Sequence, residues 1–216
     1  MNKELAEKLM NQCINIALRE WQEGQYPLGA MIVDDNGNII TSLCSNLNAG
    51  YDVSAHPEMT AIRRACEIKQ DRYLKGCYLV TTLEPCPMCT SAAIWAKMKG
   101  IIYGASQEDA IEYSNSHSHS KLSWRQIEVP SSYIIEHATP KLELFEKVLE
   151  DECKLLLDED YVKSLKREIH PTKIEKEPKH VYKRISPPES REYIKQLVKT
   201  AEKQNIINNP NHYICK

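Results

Sequence analysis

The chain has 216 residues, which is enough for one domain with an extension or for two small domains. Its composition, 42% hydrophobic and 27% charged with a net charge of −2, excludes a disordered chain. No stretch approaches the ~18 consecutive apolar residues of a membrane helix, and the charge-alternating N-terminus lacks the apolar core of a signal peptide. We therefore expect a soluble, cytoplasmic protein with no membrane partner.

Helix and strand patterns alternate from the N-terminus. Apolar residues recur at helical spacing from Leu5 to Trp21, and Gly24 is a typical helix stop. The pair Asn36-Gly37 lies between two apolar runs and predicts a β-hairpin. A polar loop over 45–55 then leads to a second predicted helix over about 57–68.

The alternation continues in the middle of the chain. We predict a strand over 77–82, a helix over 87–98 and a strand over 101–103, which indicates an α/β sandwich whose later strands run parallel. The polar segment 105–123 is predicted to be an irregular loop. Residues 140–157 are predicted to form a further helix with one apolar stripe.

The C-terminal quarter differs from the rest of the chain in charge. Residues 1–160 carry 15 Lys and Arg against 24 Asp and Glu, whereas residues 161–216 carry 13 against 6. We divide the chain there into a domain and a basic, proline-interrupted extension, with a helix near 187–203 that starts after Ser186. Such an extension fits an RNA-binding arm, a segment that folds back on the acidic domain, or a solvated tail.

Two short blocks carry the chemically informative residues: His56-Pro57-Glu58 and Pro85-Cys86-Pro87-Met88-Cys89. Two thiolates and one imidazole are good ligands for Zn²⁺ and leave a fourth position for water. Glu58, two residues after His56, can lie beside that water without binding the metal, where a proton shuttle is needed. We predict one Zn²⁺ per chain, held by His56, Cys86 and Cys89, with Glu58 as the catalytic residue.

Other kinds of protein also contain a Cys-x-x-Cys pair. A redox pair would leave the upstream His-x-Glu unexplained. A structural zinc site needs a fourth ligand at motif spacing, and the sequence has no second Cys-x-x-Cys and no His-x-x-x-His. The combination His-x-Glu and Pro-Cys-x-x-Cys is the known signature of zinc-dependent nucleobase deaminases.

From about Leu5 to Leu157 the sequence resembles the cytidine deaminase-like superfamily of zinc-dependent nucleobase and nucleoside deaminases. The resemblance lies in Pro27-Leu28-Gly29-Ala30, in residues 55–63 and in residues 81–89. It implies a three-layer α-β-α sandwich with a five-stranded mixed sheet, and usually a dimer or higher oligomer, so we expect a homodimer. The C-terminal helical extension that we predict from about residue 161 has no counterpart in the smallest deaminases. The resemblance also implies that zinc-bound hydroxide attacks the ring carbon that bears an exocyclic amine, with Glu58 as the proton shuttle.

The resemblance implies more than one substrate. Residues 60–63, Cys86 to Cys89 and Trp95-Ala96 are most similar to bacterial guanine deaminases. Asp151-Glu152-Cys153 is similar to bacterial tRNA adenosine deaminases, and Cys86 to Thr90 to fungal cytosine deaminases. We favour a purine-type nucleobase or nucleoside, guanine-like first. The alternatives are a tRNA-specific adenosine deaminase that holds RNA through 161–216, and a catalytically silent binding protein with a deaminase fold.

Four residues are candidates for substrate contact by resemblance. Relatives usually have Ala or Gly where Pro57 stands, and the N–H that touches the base carbonyl there is missing in proline. The base-contacting Asn of the relatives is assigned to Asn46, one residue beyond a strict count, which reaches Ser45. His117 and His119, in the segment after the fourth strand, are candidates to read the substrate or to move protons, the alternative being a solvated loop.

Overall fold

The computed structural model describes residues 1–44, 52–120, 122, 124 and 127–165. No helix in these parts of the chain is both long and apolar enough to cross a membrane. Asn46, the predicted helix near 187–203 and all of the extension after residue 165 lie outside the described residues.

The centre of the fold is a five-stranded mixed sheet with the strand order β2-β1-β3-β4-β5. Its strands are β1 Gly29–Val33, β2 Ile39–Cys44, β3 Tyr78–Leu83, β4 Gly100–Ala105 and β5 Glu143–Phe145. β1 runs antiparallel to β2 and to β3, whereas β3, β4 and β5 are parallel. The prediction that the later strands run parallel is confirmed.

Seven helices are formed by the described residues. They are α1 Lys3–Gln22, α2 Pro57–Lys69, α3 Pro87–Trp95, α4 Gln107–Ser116, α5 Ser131–Glu136, α6 Glu150–Leu155 and α7 Glu159–Ser164. The predicted helices that start near Leu5, Pro57 and Pro87 are therefore confirmed.

The sheet has a hydrophobic core on each face. Successive side chains of a strand point to opposite faces. On β1, Met31 and Val33 join a core with residues of α1, α4 and α6, whereas Ala30 and Ile32 join a second core with residues of α2, α3 and α5. Because both faces are covered, all residues of β1, β3 and β4 are buried, which explains why these strands do not alternate between buried and exposed residues. The predicted three-layer α-β-α sandwich is confirmed.

Glycine is required at two points of this framework. In the predicted hairpin, which is confirmed, Gly37 adopts φ 81° while Asp34 Oδ1 accepts hydrogen bonds from the backbone N–H groups of Asn36 and Asn38. At the start of β1, a Cβ on Gly29 would lie 2.2 Å from the carbonyl oxygen of Cys13. The helix α1 can therefore lie directly against β1 only because residue 29 has no side chain.

The prediction of an irregular loop over 105–123 is wrong, because α4 occupies residues 107–116 of that segment. Ser106 and Asp109 form a reciprocal capping box at its start, with Asp109 Oδ2 2.7 Å from the Ser106 backbone nitrogen. Ala110 is buried in the core shared with α1. A capping signal and one buried small residue outweigh the polar composition that suggested a loop.

The prediction of one helix over 140–157 is also wrong, because the segment forms the edge strand β5 and the short helix α6. Leu142 and Leu144 belong to the core shared with α2 and α3, whereas Phe145 packs against the opposite core. This alternation has the period of a strand, and β5 pairs with β4. Leu149, with φ 53°, then precedes α6.

The last described helix, α7, crosses residue 160, where the sequence predicts the boundary of the domain. Its Val162 is buried in a small cluster with Ala17 of α1 and Leu156. Folded structure packed against α1 therefore continues to at least residue 164.

Candidate metal centre and active site

All three predicted zinc ligands lie at the start of a helix. His56 is the N-cap of α2, Cys86 is the N-cap of α3, and Cys89 is the third residue of α3. Pro57 and Pro87 follow the two caps at the first helical position, where the fixed φ of proline suits the helix and its missing N–H costs no hydrogen bond. The two helices contact each other, so their first turns bring the ligands together.

The three donor atoms form a nearly equilateral triangle. His56 Nδ1 lies 3.7 Å from Cys86 Sγ and 3.6 Å from Cys89 Sγ, and the two sulfurs are 3.6 Å apart. A tetrahedral Zn²⁺ ion, with bonds of about 2.3 Å to sulfur and about 2.0 Å to nitrogen, holds two sulfurs about 3.8 Å apart and a sulfur and a nitrogen about 3.5 Å apart. The spacing and the donor types therefore fit zinc with three protein ligands.

These residues form a candidate zinc site that stands alone in the described part of the chain. No other group of three His, Cys, Asp or Glu residues there places its donor atoms within 4.8 Å of one another. Three protein ligands leave the fourth tetrahedral position for water or substrate, as in catalytic zinc sites.

The two thiols are arranged to give up their protons to a cation. The sulfurs of Cys86 and Cys89 are 3.6 Å apart, and this contact, with help from His56, lowers the pKa of Cys86 to about 4. The same contact raises the pKa of Cys89, which is also buried and close to the Glu58 carboxyl. The second proton therefore leaves when a cation replaces it, which is the exchange that occurs when Zn²⁺ binds thiolates.

Glu58 lies beside the ligands. It is the second residue of α2 and is only 5% exposed. Its Oε2 is 3.6 Å from Cys89 Sγ, and its Oε1 accepts a hydrogen bond of 2.9 Å from Thr81 Oγ1. Burial raises the pKa of Glu58. A buried carboxyl group next to a metal ligand is suited to take up and release protons during a reaction.

Thr81 belongs to this site, although nothing in its sequence context distinguishes it from Thr82. Its hydroxyl lies 2.9 Å from Glu58 Oε1 and 3.1 Å from the carbonyl oxygen of Leu83. A hydroxyl group has one proton, so it donates to one of these acceptors at a time. The contact with Oε1 orients the Glu58 carboxyl and leaves Oε2 facing Cys89.

We expect Thr81→Val to lower kcat of the deamination that the resemblance implies about 10-fold and to leave the zinc content unchanged, because a hydrogen bond to a charged group contributes about 1.5–3 kcal/mol. Thr82→Val is the matched control on the same strand, since the Thr82 hydroxyl accepts a hydrogen bond from Gly29 N at 3.1 Å. The control should lower the melting temperature and keep kcat. Equal kcat values in the two variants would show that Thr81 does not orient Glu58.

The two candidate histidines lie at the end of α4. His117 is the C-cap, its Nδ1 is 3.0 Å from the carbonyl oxygen of Tyr113, and its ring stacks on the Tyr113 ring with centroids 4.1 Å apart. The ring of His119 lies 5.9 Å from that of His117. Both rings thus contact residues at or just after the end of α4. Contact with substrate stays a prediction for each of them.

Comparison with known proteins places the chain in a family. The profile of the cytidine and deoxycytidylate deaminase zinc-binding region matches residues 3–105, which include the three ligands and Glu58. A tRNA-specific adenosine deaminase of Haemophilus influenzae is 30% identical over 165 residues, which cover 72% of this chain and 91% of that protein. The chain belongs to the zinc-binding cytidine and deoxycytidylate deaminase family.

Members of this deaminase family with different substrates are similar to the chain. "Probable cytosine deaminase" of Schizosaccharomyces pombe is 32% identical over 158 residues, covering 69% of this chain and 90% of that protein. Guanine deaminase of Bacillus subtilis is 45% identical over 86 residues, which span 40% of this chain and about half, 54%, of that protein.

A solved structure shows that the similarity extends to the fold. Guanine deaminase from Nitrosomonas europaea superimposes with a TM-score of 0.59 at 19% sequence identity, and the match covers 73% of this chain and 84% of that one. The deaminase fold therefore continues beyond residue 105, where the profile match ends.

Proposed function

We propose that this protein is a zinc-dependent hydrolytic deaminase that removes an exocyclic amine from a purine-type nucleobase or nucleoside, with guanine-like substrates first. The observation that carries the proposal is that the described residues bring three zinc ligands together and place a buried carboxyl oxygen 3.6 Å from one ligand sulfur. A structural zinc site would fill the fourth position, and a redox pair would use neither His56 nor Glu58. The 45% identity with a guanine deaminase supports guanine as the first substrate.

Zinc, when bound by His56, Cys86 and Cys89, would lower the pKa of a bound water toward about 7 and so supply a nucleophile at neutral pH. Glu58 would take a proton from the attacking water and deliver it to a ring nitrogen of the base. It would then take the second proton, from the hydroxyl group newly bound to the ring carbon, and pass it to the departing amine. Water and the amine-bearing ring carbon thereby give a carbonyl group and ammonia, with no change in oxidation state.

Pro57 restricts how this chain can hold a substrate. The first N–H groups of a helix have no partner within the helix and commonly bind polar ligands. Proline at the first position of α2 removes one of these donors beside the metal site. We propose that a base carbonyl is bound by another group, with Asn46, His117 and His119 as the candidates.

Ammonia release by the zinc-loaded, full-length protein tests the proposal. The panel contains guanine, guanosine, adenine, adenosine, cytosine, cytidine and a tRNA anticodon stem-loop with adenosine at position 34. The Glu58→Ala variant is the negative control. We expect the highest kcat/KM with guanine. Release from cytosine or cytidine alone would contradict a purine substrate. If zinc is bound but no compound of the panel releases ammonia, the result would favour the catalytically silent binding protein.

A tRNA-specific adenosine deaminase is the second candidate. Residues 161–216 carry 13 Lys and Arg against 6 Asp and Glu, and the match to the H. influenzae enzyme covers 91% of that protein. RNA held by such a segment would dissociate more readily at high salt, because binding to phosphates releases counterions.

Stem-loop binding at low and high salt separates this candidate from the first. Under the second candidate, replacing Lys195, Lys199 and Lys203 together with Gln weakens binding and reduces its salt dependence. Under the first, the stem-loop releases no ammonia and the replacement leaves guanine deamination unchanged. The homodimer and the cytoplasmic location stay predictions, and light scattering of the purified protein would measure the oligomeric state.

A further inference from the structure

Glu84 is a buried carboxylate between the sheet and the loop that carries the ligand Cys86. Glu84 directly follows the last residue of β3 and is only 5% exposed. Its backbone N–H donates to the carbonyl oxygen of Ala105 at 2.8 Å, which extends the pairing of β3 with β4 by one residue. Only Pro85 separates Glu84 from Cys86, so a displacement of Glu84 would move the ligand.

The two oxygens of Glu84 accept hydrogen bonds from the first residues of two helices. Oε1 accepts from the backbone N–H of Ser131 at 2.7 Å and from its hydroxyl at 2.8 Å, and Oε2 accepts from the backbone N–H of Gln107 at 3.1 Å. Backbone N–H groups in a first helical turn have no acceptor within their own helix. The residue before Ser131 is Pro130, whose side chain has no acceptor atom. Glu84 therefore provides acceptors for the starts of both α4 and α5.

A second group of contacts holds Pro85. Its carbonyl oxygen accepts hydrogen bonds from Thr90 Oγ1 at 3.0 Å and from Gln107 Nε2 at 3.4 Å. Gln107 Nε2 is also 3.3 Å from the carbonyl oxygen of Val129. The two residues that precede Cys86 are thus fixed to α3, to α4 and to the segment that enters α5.

We propose that Glu84 is a positioning residue of the zinc site: it fixes the Cys86 loop to the first residues of α4 and α5 and thereby slows the loss of the metal. All the groups that face its oxygens are donors. A carboxamide would turn its own NH₂ group toward one of these donors and leave that donor without an acceptor. The inference rests on the zinc site that the proposed function uses and is independent of which base is deaminated.

The test is the rate at which zinc leaves the loaded, full-length protein in excess chromogenic chelator, at a temperature where circular dichroism shows every variant to be folded. We expect Glu84→Gln to release zinc about 10-fold faster than the wild type or more, since losing an outer hydrogen-bond partner commonly lowers metal affinity about 10–100-fold. Apparent zinc affinity, measured by competition, should fall by a similar factor.

Glu159→Gln is the matched control. Glu159 is also 5% exposed, accepts a hydrogen bond from Ser120 Oγ at 2.9 Å and pairs with Lys163, but it lies on α7 and contacts neither Glu84 nor the Cys86 loop through these bonds. We expect this variant to melt at a lower temperature and to release zinc at the wild-type rate. A purely structural role for Glu84 would make the two variants behave alike.

Ser131→Ala provides a milder change at the same contact, because it removes the hydroxyl and keeps the backbone N–H. We expect zinc release about 3-fold faster than in the wild type. The inference would be overturned if Glu84→Gln released zinc at the wild-type rate, or if Glu159→Gln accelerated the release equally. If Glu84→Gln does not fold, a wild-type rate of zinc release in Ser131→Ala would overturn it. Because the readout is zinc, failure of every base to release ammonia would contradict the deaminase proposal alone.

Discussion

Glu58→Ala is expected to lower ammonia release about 10³-fold or more while one zinc ion per chain is retained. The reason is that, in the proposed mechanism, this carboxyl group takes the two protons of water in turn and passes one to the base and one to the leaving amine. Its Oε2 lies 3.6 Å from the ligand atom Cys89 Sγ, which is well beyond a metal bond, so its removal leaves all three ligands in place. The measurement is kcat with the preferred base, together with zinc content by elemental analysis.

Two further variants make this result specific. Glu58→Gln keeps the size of the side chain and an oxygen that can accept from Thr81, but it has no carboxyl proton to exchange, so it should lose as much activity as Glu58→Ala. Glu67→Gln changes an acidic residue farther along α2 that pairs with Arg64 at 3.1 Å, and it should keep wild-type activity. Activity of Glu58→Gln within 10-fold of the wild type would exclude Glu58 as the proton shuttle.

Cys89→Ala is expected to abolish both zinc binding and ammonia release. Cys89 is buried, and its sulfur closes the triangle with Cys86 and His56, so its loss leaves two ligands where zinc sites have three or four. Dialysis of the purified variant followed by elemental analysis measures the zinc that remains. Circular dichroism of the same sample reports whether the fold is kept.

Cys66→Ala is the control for this variant. Cys66 lies in α2, the helix that His56 caps, but outside the triangle, with its sulfur 3.7 Å from the carbonyl oxygen of Arg72, and its replacement should leave zinc and activity unchanged. In the wild type, chelation should remove activity and Zn²⁺ should restore it, whereas Mg²⁺ should not, because thiolate and imidazole ligands select zinc. A Cys89→Ala protein that retains stoichiometric zinc would contradict the ligand assignment.

The ligand set could be predicted from the sequence because its information is local. His56 and Glu58 are two residues apart, Cys86 and Cys89 are three apart, and each pair is placed by one helix start. The proline after each cap marks that start in the sequence. The spatial relation between the two pairs follows from the resemblance to a known family and could not be derived from spacing within the chain.

Thr81 and Glu84 could not be recognised in the same way because their partners are remote in sequence. Thr81 contacts Glu58, 23 residues away, and Glu84 contacts Ser131, 47 residues away. Thr81 lies near the end of β3 and Glu84 directly follows that strand. Their roles depend on which helices the fold brings to this end of the strand. The spacing of residues in the sequence describes a single helix or strand and carries no information about contacts between distant elements.

The two wrong predictions, a loop over 105–123 and a single helix over 140–157, also have physical reasons. The capping box of α4 uses Asp109 in place of the more familiar Glu or Gln, and the Ser- and His-rich composition hides the helix. The strand β5 has three residues, too few to show a convincing alternation, and its pairing with β4 decides its conformation.

The prolines at the first positions of α2 and α3 have a consequence for how the metal enters. Proline restricts its own φ in the unfolded chain as well as in the folded one, so the turns that carry His56 and Cys86 lose less conformational entropy on becoming ordered. Zinc fingers, by contrast, obtain their fold from the metal itself. In this protein the sheet and two stiff turns form the receptor, and metal binding has the character of a ligand entering a preorganised site.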